Sequence, residues 1–253
     1  MSADDSYSRF DNLTFDDFRE LAKDDSLSRH EKIGFPDSYR EGKEEVIFDD
    51  ILAKVSNISK KDKNILEIGP GCSHLPIKLA EVCQSNGSRL MFVDSAEMLA
   101  HLPKAAHIKE YFGSFPSALA DNFNNLSGKV DVIIAYSVIQ YVFAEGNLWD
   151  FIDRCLNLLA NEGEIFLGDI PNISMRKRFF ASAAGHESHR QFTGREEKPV
   201  VNFNQLEIGK IDDSVVIAII SRARAQGFHA WILPQGHSLP MANRREDILI
   251  RKP

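Results

Sequence analysis

The sharpest hydrophobic pattern in the chain runs from Asn64 to Ala80, NILEIGPGCSHLPIKLA, where apolar positions crowd together, stop at glycines and resume at i, i+3, i+4 spacing. That succession predicts a buried strand, a tight loop and a helix. Ile65, Leu66 and Ile68 suit a strand covered on both faces. Gly69 and Gly71 allow a sharp turn and the close approach of a ligand, because neither carries a Cβ. Ser73 stands where it can cap the next helix, and Pro76 falls in the first turn, where a missing N–H costs nothing. A ligand at this loop would meet free helix N–H groups and the positive end of the helix dipole.

Upstream, Thr14 and Asp17 have capping-box spacing for a short helix over FDDFRELAK. The segment SLSRHEKIGFPDSYREG has no regular period, whereas Ile47, Phe48, Ile51, Leu52 and Val55 form the stripe of a helix that begins near Glu44. Residues 1 to about 12 are polar and read as mobile or loosely docked. Downstream, Leu90 to Val93 predict a second strand with Asp94 at its carboxyl end, followed by a short helix capped by Ser95. HIKEYF reads as a third strand, Val130 to Ala135 as a fourth, and EIFLGDI as a fifth, after a helix capped by Asn147 and a break at Gly163. Strands and helices alternating in this way imply a parallel sheet with helices on both faces and right-handed crossovers.

The rhythm then changes. Residues 171 to about 211 are long for a connection and read as a lid or substrate loop. A helix from about Asp213 to Gln226 follows, and FHAWILPQGHSLPMANRREDILIRKP predicts two strand-like runs as an antiparallel pair at one side of the sheet. The expected fold is a Rossmann-like three-layer α/β sandwich, with residues 1–60 as a helical cap on a unit of residues 61–253.

Composition narrows the function. Thirty Lys and Arg stand against 37 Asp and Glu, a formal charge of −7 that gives no field for drawing in phosphate backbones, so nucleic acid is disfavoured as a partner. The three cysteines, Cys72, Cys83 and Cys155, have neither disulfide-framework nor zinc spacing, which suits reduced thiols in the cytoplasm. The acidic start lacks the features of a signal peptide, and no apolar run approaches the roughly 18 residues of a membrane helix. A soluble cytoplasmic protein that binds a small molecule is expected, with a homodimer left open.

In an open parallel sheet, ligands bind beyond the carboxyl ends of the strands. Those ends present Glu67, Gly69, Asp94, Ser114, Tyr136, Ser137 and Asp169. Asp94 is the most informative: a carboxylate there can accept from both hydroxyls of a ribose whose other groups lie over the glycine loop. A nicotinamide or flavin site would call for G-x-G-x-x-G, but counting from Gly69 the third glycine position holds His74, and Pro70 stiffens the loop. A dinucleotide oxidoreductase using NAD or NADP is therefore the lesser reading.

The motifs LEIGPGCS, FVDSAEML, VDVIIAYSVIQYV and LLANEGEIFLGDI, in this order and spacing, resemble those of the class I S-adenosylmethionine-dependent methyltransferases over roughly Asn64 to Asp169. The resemblance implies a seven-stranded, mostly parallel sheet with the last strand antiparallel, and S-adenosylmethionine lying across the first two strand ends. By position, Glu67, Gly69, Pro70 and Gly71 would border its methionine part, and Asp94, with Ser95 beside it, would hold the ribose. Gly113, Ser114 and Phe115 would flank the adenine, and Ser137 would line the sulfonium region. Ser73 stands where the family often has a third glycine, and Ser114 where an acid commonly meets the adenine amino group.

The implied chemistry is an in-line displacement, in which an acceptor lone pair takes the methyl group as a neutral thioether leaves. The protein must hold the reacting centres at about 3–3.5 Å and exclude water. A hydroxyl acceptor also needs a base, for which His186, His189 and His237 are candidates, with Asp169 a carboxylate alternative; a neutral amine or amidine needs none. His74, His101, His107 and His229 have weaker claims. Tyr39 and Arg40 are placed to reach the cofactor carboxylate or a substrate anion, and the basic run Met175 to Arg178 with Phe179 and Phe180 to bind an anion or anchor the lid. AYSVIQY lacks the Asn/Asp-Pro-Pro-Tyr pattern of enzymes that methylate nucleobase amino groups. The expected activity is methyl transfer to an O or N atom of a small polar metabolite, such as a sugar or surface-glycan precursor, with no metal ligands assigned. The competing view is a non-catalytic S-adenosylmethionine-binding module that acts through a protein partner.

Overall fold

The period-2 burial of the first strand organises the molecule. In the computed structural model, which describes residue 10 and residues 13–253, β1 (Asn64–Ile68) sends Leu66 and Ile68 into one core and Ile65 into another on the opposite face of the sheet. The expectation for residues 1 to about 12 lies, Phe10 aside, outside the described residues. β2 (Arg89–Asp94), β3 (Ile108–Phe112), β4 (Val130–Tyr136) and β5 (Leu159–Pro171) run parallel to β1. β6 (His229–Pro234) and β7 (Arg245–Arg251) complete a seven-stranded sheet of order β3-β2-β1-β4-β5-β7-β6. β7 lies between β5 and β6 and is antiparallel to both, so the last strand is the reversed one. The order turns back between β1 and β4, which opens a crevice at their carboxyl ends.

Helices cover both faces. On one, α1 (Leu148–Leu158) and α2 (Asp213–Ala225) bury Phe151, Cys155 and Ile219 against the sheet. On the other, α3 (Glu44–Lys54) and α4 (Leu75–Ser85) bury Phe48, Ile51 and Leu79 against Phe92 and Phe166. The apolar stripes expected for 44–55 and 148–159 are thus the faces that meet the sheet.

The N-terminal segment closes over the strand ends. The helix Phe15–Lys23 carries the expected Thr14–Asp17 capping box, and Arg19 pairs with Glu97 at 2.9 Å. The stretch without a regular period contains two single-turn helices, Arg29–Lys32 and Asp37–Arg40. Buried His30 ties them to α3: Nδ1 lies 3.0 Å from Asp37 and Nε2 meets Glu44. Turns this short are held by tertiary contacts rather than by a periodic stripe, which is why the sequence pattern does not reveal them.

Three local features differ from the sequence reading. The helix after the glycine loop begins at Leu75, and Ser73 only accepts a long 3.4 Å bond from the Leu75 N–H instead of capping it. β5 begins at Leu159, so Gly163 lies inside a strand whose irregular start is turned by Glu162 at φ 59°. Residues 171–211 contain helices Ile173–Phe180 and Ala183–Thr193, the first capped by Asn172. Asn172 is itself buried and bonded to Asp213 and Glu246, anchoring the insertion to the sheet edge.

Candidate functional site

The glycine loop is shaped by what surrounds it. Gly69 and Gly71 have φ of 65° and 63°, and a Cβ on them would sit 2.7 Å from Val138 and 2.6 Å from Ile33. Both glycines are therefore required by backbone conformation and by space. The loop passes between the start of the Ile139–Glu145 helix and the N-terminal segment, and Arg29 clamps it by donating to the Cys72 carbonyl at 3.0 Å.

Above it lies a cavity of about 390 Å³, bounded by the ends of β1, β2 and β4, the Gly113–Pro116 turn, and residues of the N-terminal segment. Its size falls in the range of small-molecule sites. Of the residues assigned from sequence, Glu67, Gly69, Pro70, Gly71, Asp94, Gly113, Ser114, Phe115 and Ser137 line it. Ser95 lies behind the wall, buried, and caps the next helix by accepting from the Met98 N–H. The sequence pattern marked Phe18 only as part of a helix's apolar face and did not mark Ile33 and Phe35, which with it form the roof, or Tyr141 and Val142, from a helix that the periodicity did not predict.

Two carboxyl groups face each other across the end of the sheet. Asp94 accepts from the Gly71 N–H at 3.1 Å and the Ser95 N–H at 2.7 Å. Burial pushes its pKa up to about 6 against these two hydrogen bonds. Glu67 is buried, its Oε2 has no hydrogen-bond partner, and burial together with the nearby Asp94 charge pushes its pKa up to about 8. A buried acceptor left unpaired is costly and marks a place where a donor or cation from outside would be stabilised.

At the other end of the cavity the charge reverses. Arg40 is 4% exposed and donates from Nη2 to Ser137 Oγ at 2.8 Å and Asp169 Oδ2 at 2.6 Å. Arg245 donates to the same Asp169 oxygen at 2.5 Å. Phe35 lies under both guanidiniums, 4.2 Å from Arg40 and 5.6 Å from Arg245. Ser137 and Asp169 both have φ of 59°, as β4 and β5 bend to bring them together.

Asp169, weighed above as a base, is an ion-pair partner instead. Burial disfavours its charge, but Arg245 and Arg40, helped by bonds from Ser137 and Gln235, outweigh burial and hold its carboxyl below the usual range. The three candidate histidines are not among the cavity-lining residues. His186 and His189 lie on the Ala183–Thr193 helix of the insertion, where His189 meets the Phe180 ring edge-on, and His237 is exposed in the β6–β7 connection. The insertion docks against α2 and the sheet edge, so its histidines are not carried over the glycine loop.

No metal-binding group of three or more His, Cys, Asp or Glu side chains occurs among the described residues, and no described helix is long and apolar enough to cross a membrane. No protein-family model matches the chain. The chain is 28% identical over 183 residues to chondramide synthase cmdD of Chondromyces crocatus; the match takes in 68% of this chain and 4% of that far longer synthase. Among solved structures, the plantazolicin methyltransferase BamL, in complex with a triazolic desmethylPZN analog and S-adenosylhomocysteine, superposes with a TM-score of 0.57 at 11% identity, over 98% of both chains. The N-methyltransferase NodS of Bradyrhizobium japonicum WM9, in complex with S-adenosylhomocysteine, gives 0.52 at 16% identity, over 94% of this chain and 98% of NodS. With its sheet order, reversed last strand and glycine loop, the chain has the fold of the class I S-adenosylmethionine-dependent methyltransferases.

Proposed function

We propose that this protein transfers a methyl group from S-adenosylmethionine to a small polar acceptor. The observation that carries the reading is the pairing of a Gly-Pro-Gly loop with two carboxyl groups, the buried Glu67 with an unpartnered oxygen and the partly buried Asp94, in a single cavity. The glycine-loop end fits the cofactor. Asp94 keeps acceptor capacity for ribose hydroxyls beyond its two backbone bonds, unpartnered Glu67 Oε2 suits an ammonium or sulfonium neighbour, and Gly69 and Gly71 allow the left-handed turns by which the loop passes between Val138 and Ile33. Glu67, Gly69, Pro70, Gly71, Asp94, Gly113, Ser114, Phe115 and Ser137 would hold it, with Ser95 supporting Asp94 from behind.

Bound there, the cofactor would supply a methyl group activated by its sulfonium. The chain's own task is to position and to exclude water. Phe18, Ile33 and Phe35 roof the cavity with apolar surface, and the Phe18 ring packs edge-on against Tyr141 at 5.0 Å. None of the bases named from sequence reaches the cavity, since no histidine is on the wall and Asp169 is engaged by arginines, and this supports a nitrogen that arrives unprotonated over a hydroxyl that would need one of them.

Calorimetry with S-adenosylmethionine, S-adenosylhomocysteine and NAD tests the assignment. Micromolar binding of the first two with none of NAD is expected. Binding of NAD alone, or of none of them, would overturn it.

A further inference from the structure

The buried arginine end of the cavity has more hydrogen-bond donors than the protein uses. Two guanidiniums, Arg40 and Arg245, share the single carboxylate Asp169. Beside them Lys54 pairs with two carboxylates, Asp247 at 2.7 Å and Asp50, so the linked network balances in charge while its donors are unevenly used. Arg40 spends only Nη2 on the protein: its buried Nε has no partner, and among the described residues Nη1 has none either. A guanidinium that is nine-tenths buried, belongs to a cavity-lining residue and keeps Nη1 unpaired is poised for an acceptor brought in by a ligand.

The positive character continues outward. Arg244, next to Arg245, lies with Arg176 around the Phe180 ring, their guanidiniums 5.6 Å and 5.2 Å from its centre. Neither forms an ion pair within the described residues. Arg244 is partly buried, and its pKa is lowered by that burial and by the charges of Arg245 and Arg176. Phe35 and Phe180 thus space a row of four arginines, Arg40, Arg245, Arg244 and Arg176, that leads from the cavity wall to the insertion. The opposite end of the cavity, where Glu67 and Asp94 lie, is acidic.

We infer that the methyl acceptor carries an oxyanion, a carboxylate or phosphate, that seats on Arg40 beside Ser137, with Arg244 and Arg176 drawing it in. This inference rests on the methyl-transfer reading. It places the anion over β4 and β5, on the far side of the β1 loop from Asp94, and so on the acceptor rather than on the cofactor. Arg40 and Arg245 are positioning residues for that group, held in place by Asp169 and Phe35.

The test separates the two readings. In low-salt buffer, the wild-type protein is first titrated with S-adenosylhomocysteine, and failure to bind it counts against the methyl-transfer reading itself. The S-adenosylhomocysteine-saturated protein is then titrated with inorganic phosphate and, separately, with acetate, with glycerol as the neutral control. One anion should bind at millimolar concentration or below and glycerol should not; whichever anion binds more tightly identifies the acceptor group. Arg40→Gln should weaken that anion at least tenfold and change S-adenosylhomocysteine affinity less than threefold, and Arg40→Lys should recover part of the loss. Should Arg40→Gln not fold, Arg244→Gln combined with Arg176→Gln should weaken the anion severalfold. Absence of anion binding to the wild type, equal binding by the variants, or a tenfold loss of S-adenosylhomocysteine affinity in Arg40→Gln would overturn the inference, the last by assigning Arg40 to the cofactor's own carboxylate.

Discussion

Glu67→Gln is the most discriminating perturbation of the candidate site because it keeps the side chain's shape and removes its titration. In the folded protein the carboxyl titrates near 8 rather than near 4.5, for burial first and the Asp94 charge second. Between those values the folded state holds a proton that the unfolded state has released, so stability falls as pH rises through the window. Integrating that difference, the wild type should lose about 2 kcal/mol more stability than the variant between pH 6 and pH 8. Urea unfolding of both proteins across this range measures the divergence, and Asp94, present in both, largely cancels. Superimposable pH dependences would refute the argument that Glu67 is buried without a partner. The same proton should leave when a cationic cofactor binds, so wild-type affinity for S-adenosylmethionine should rise from pH 6 to pH 8, while that of Glu67→Gln stays nearly flat.

Two further outcomes bear on the same site. Asp94→Ala should weaken S-adenosylhomocysteine binding by about 1.5–3 kcal/mol for each charge-assisted hydrogen bond lost, read by calorimetry, and undiminished binding would sink the ribose assignment. Gly71→Ala combines a φ of 63° with a Cβ 2.6 Å from Ile33 Cγ2, so it should cost about 1–3 kcal/mol in urea unfolding and lower cofactor affinity by pushing the roof away from the loop; a neutral result would mean that the N-terminal segment yields freely.

The strand–loop–helix at 64–80, Asp94 at the end of the second strand, and the reversed terminal pair were legible because each rests on local periodicity or on a residue type with few alternative uses. Period-2 burial put Ile65 and Leu66 into opposite cores, and the stripes at 44–55 and 148–159 named the faces that meet the sheet. The parallel strands β1 to β5 leave their carboxyl ends together, so the residues at those ends are legible in the sequence. Their chain neighbours carried enough of the pattern.

Tertiary structure alone decided which groups share a charge environment. Arg40 and Asp169 are 129 positions apart and meet at 2.6 Å. Neither sits in a pattern that names the other, since long-range ion pairs leave no periodic trace in a single sequence. The unpaired state of Glu67 and the rise in its pKa depend on what does not surround it, which composition cannot express. The candidate histidines share only a residue type suited to a base and a place in long connections; packing of the insertion against α2 keeps His186 and His189 off the cavity wall, His237 is exposed beyond β6, and it is Arg245 of β7 that meets the N-terminal segment at Phe35. Local sequence determined the frame and the glycine-loop end of the cavity, because strand ends and glycine turns are local properties; the arginine end is made by charges that only the fold brings together.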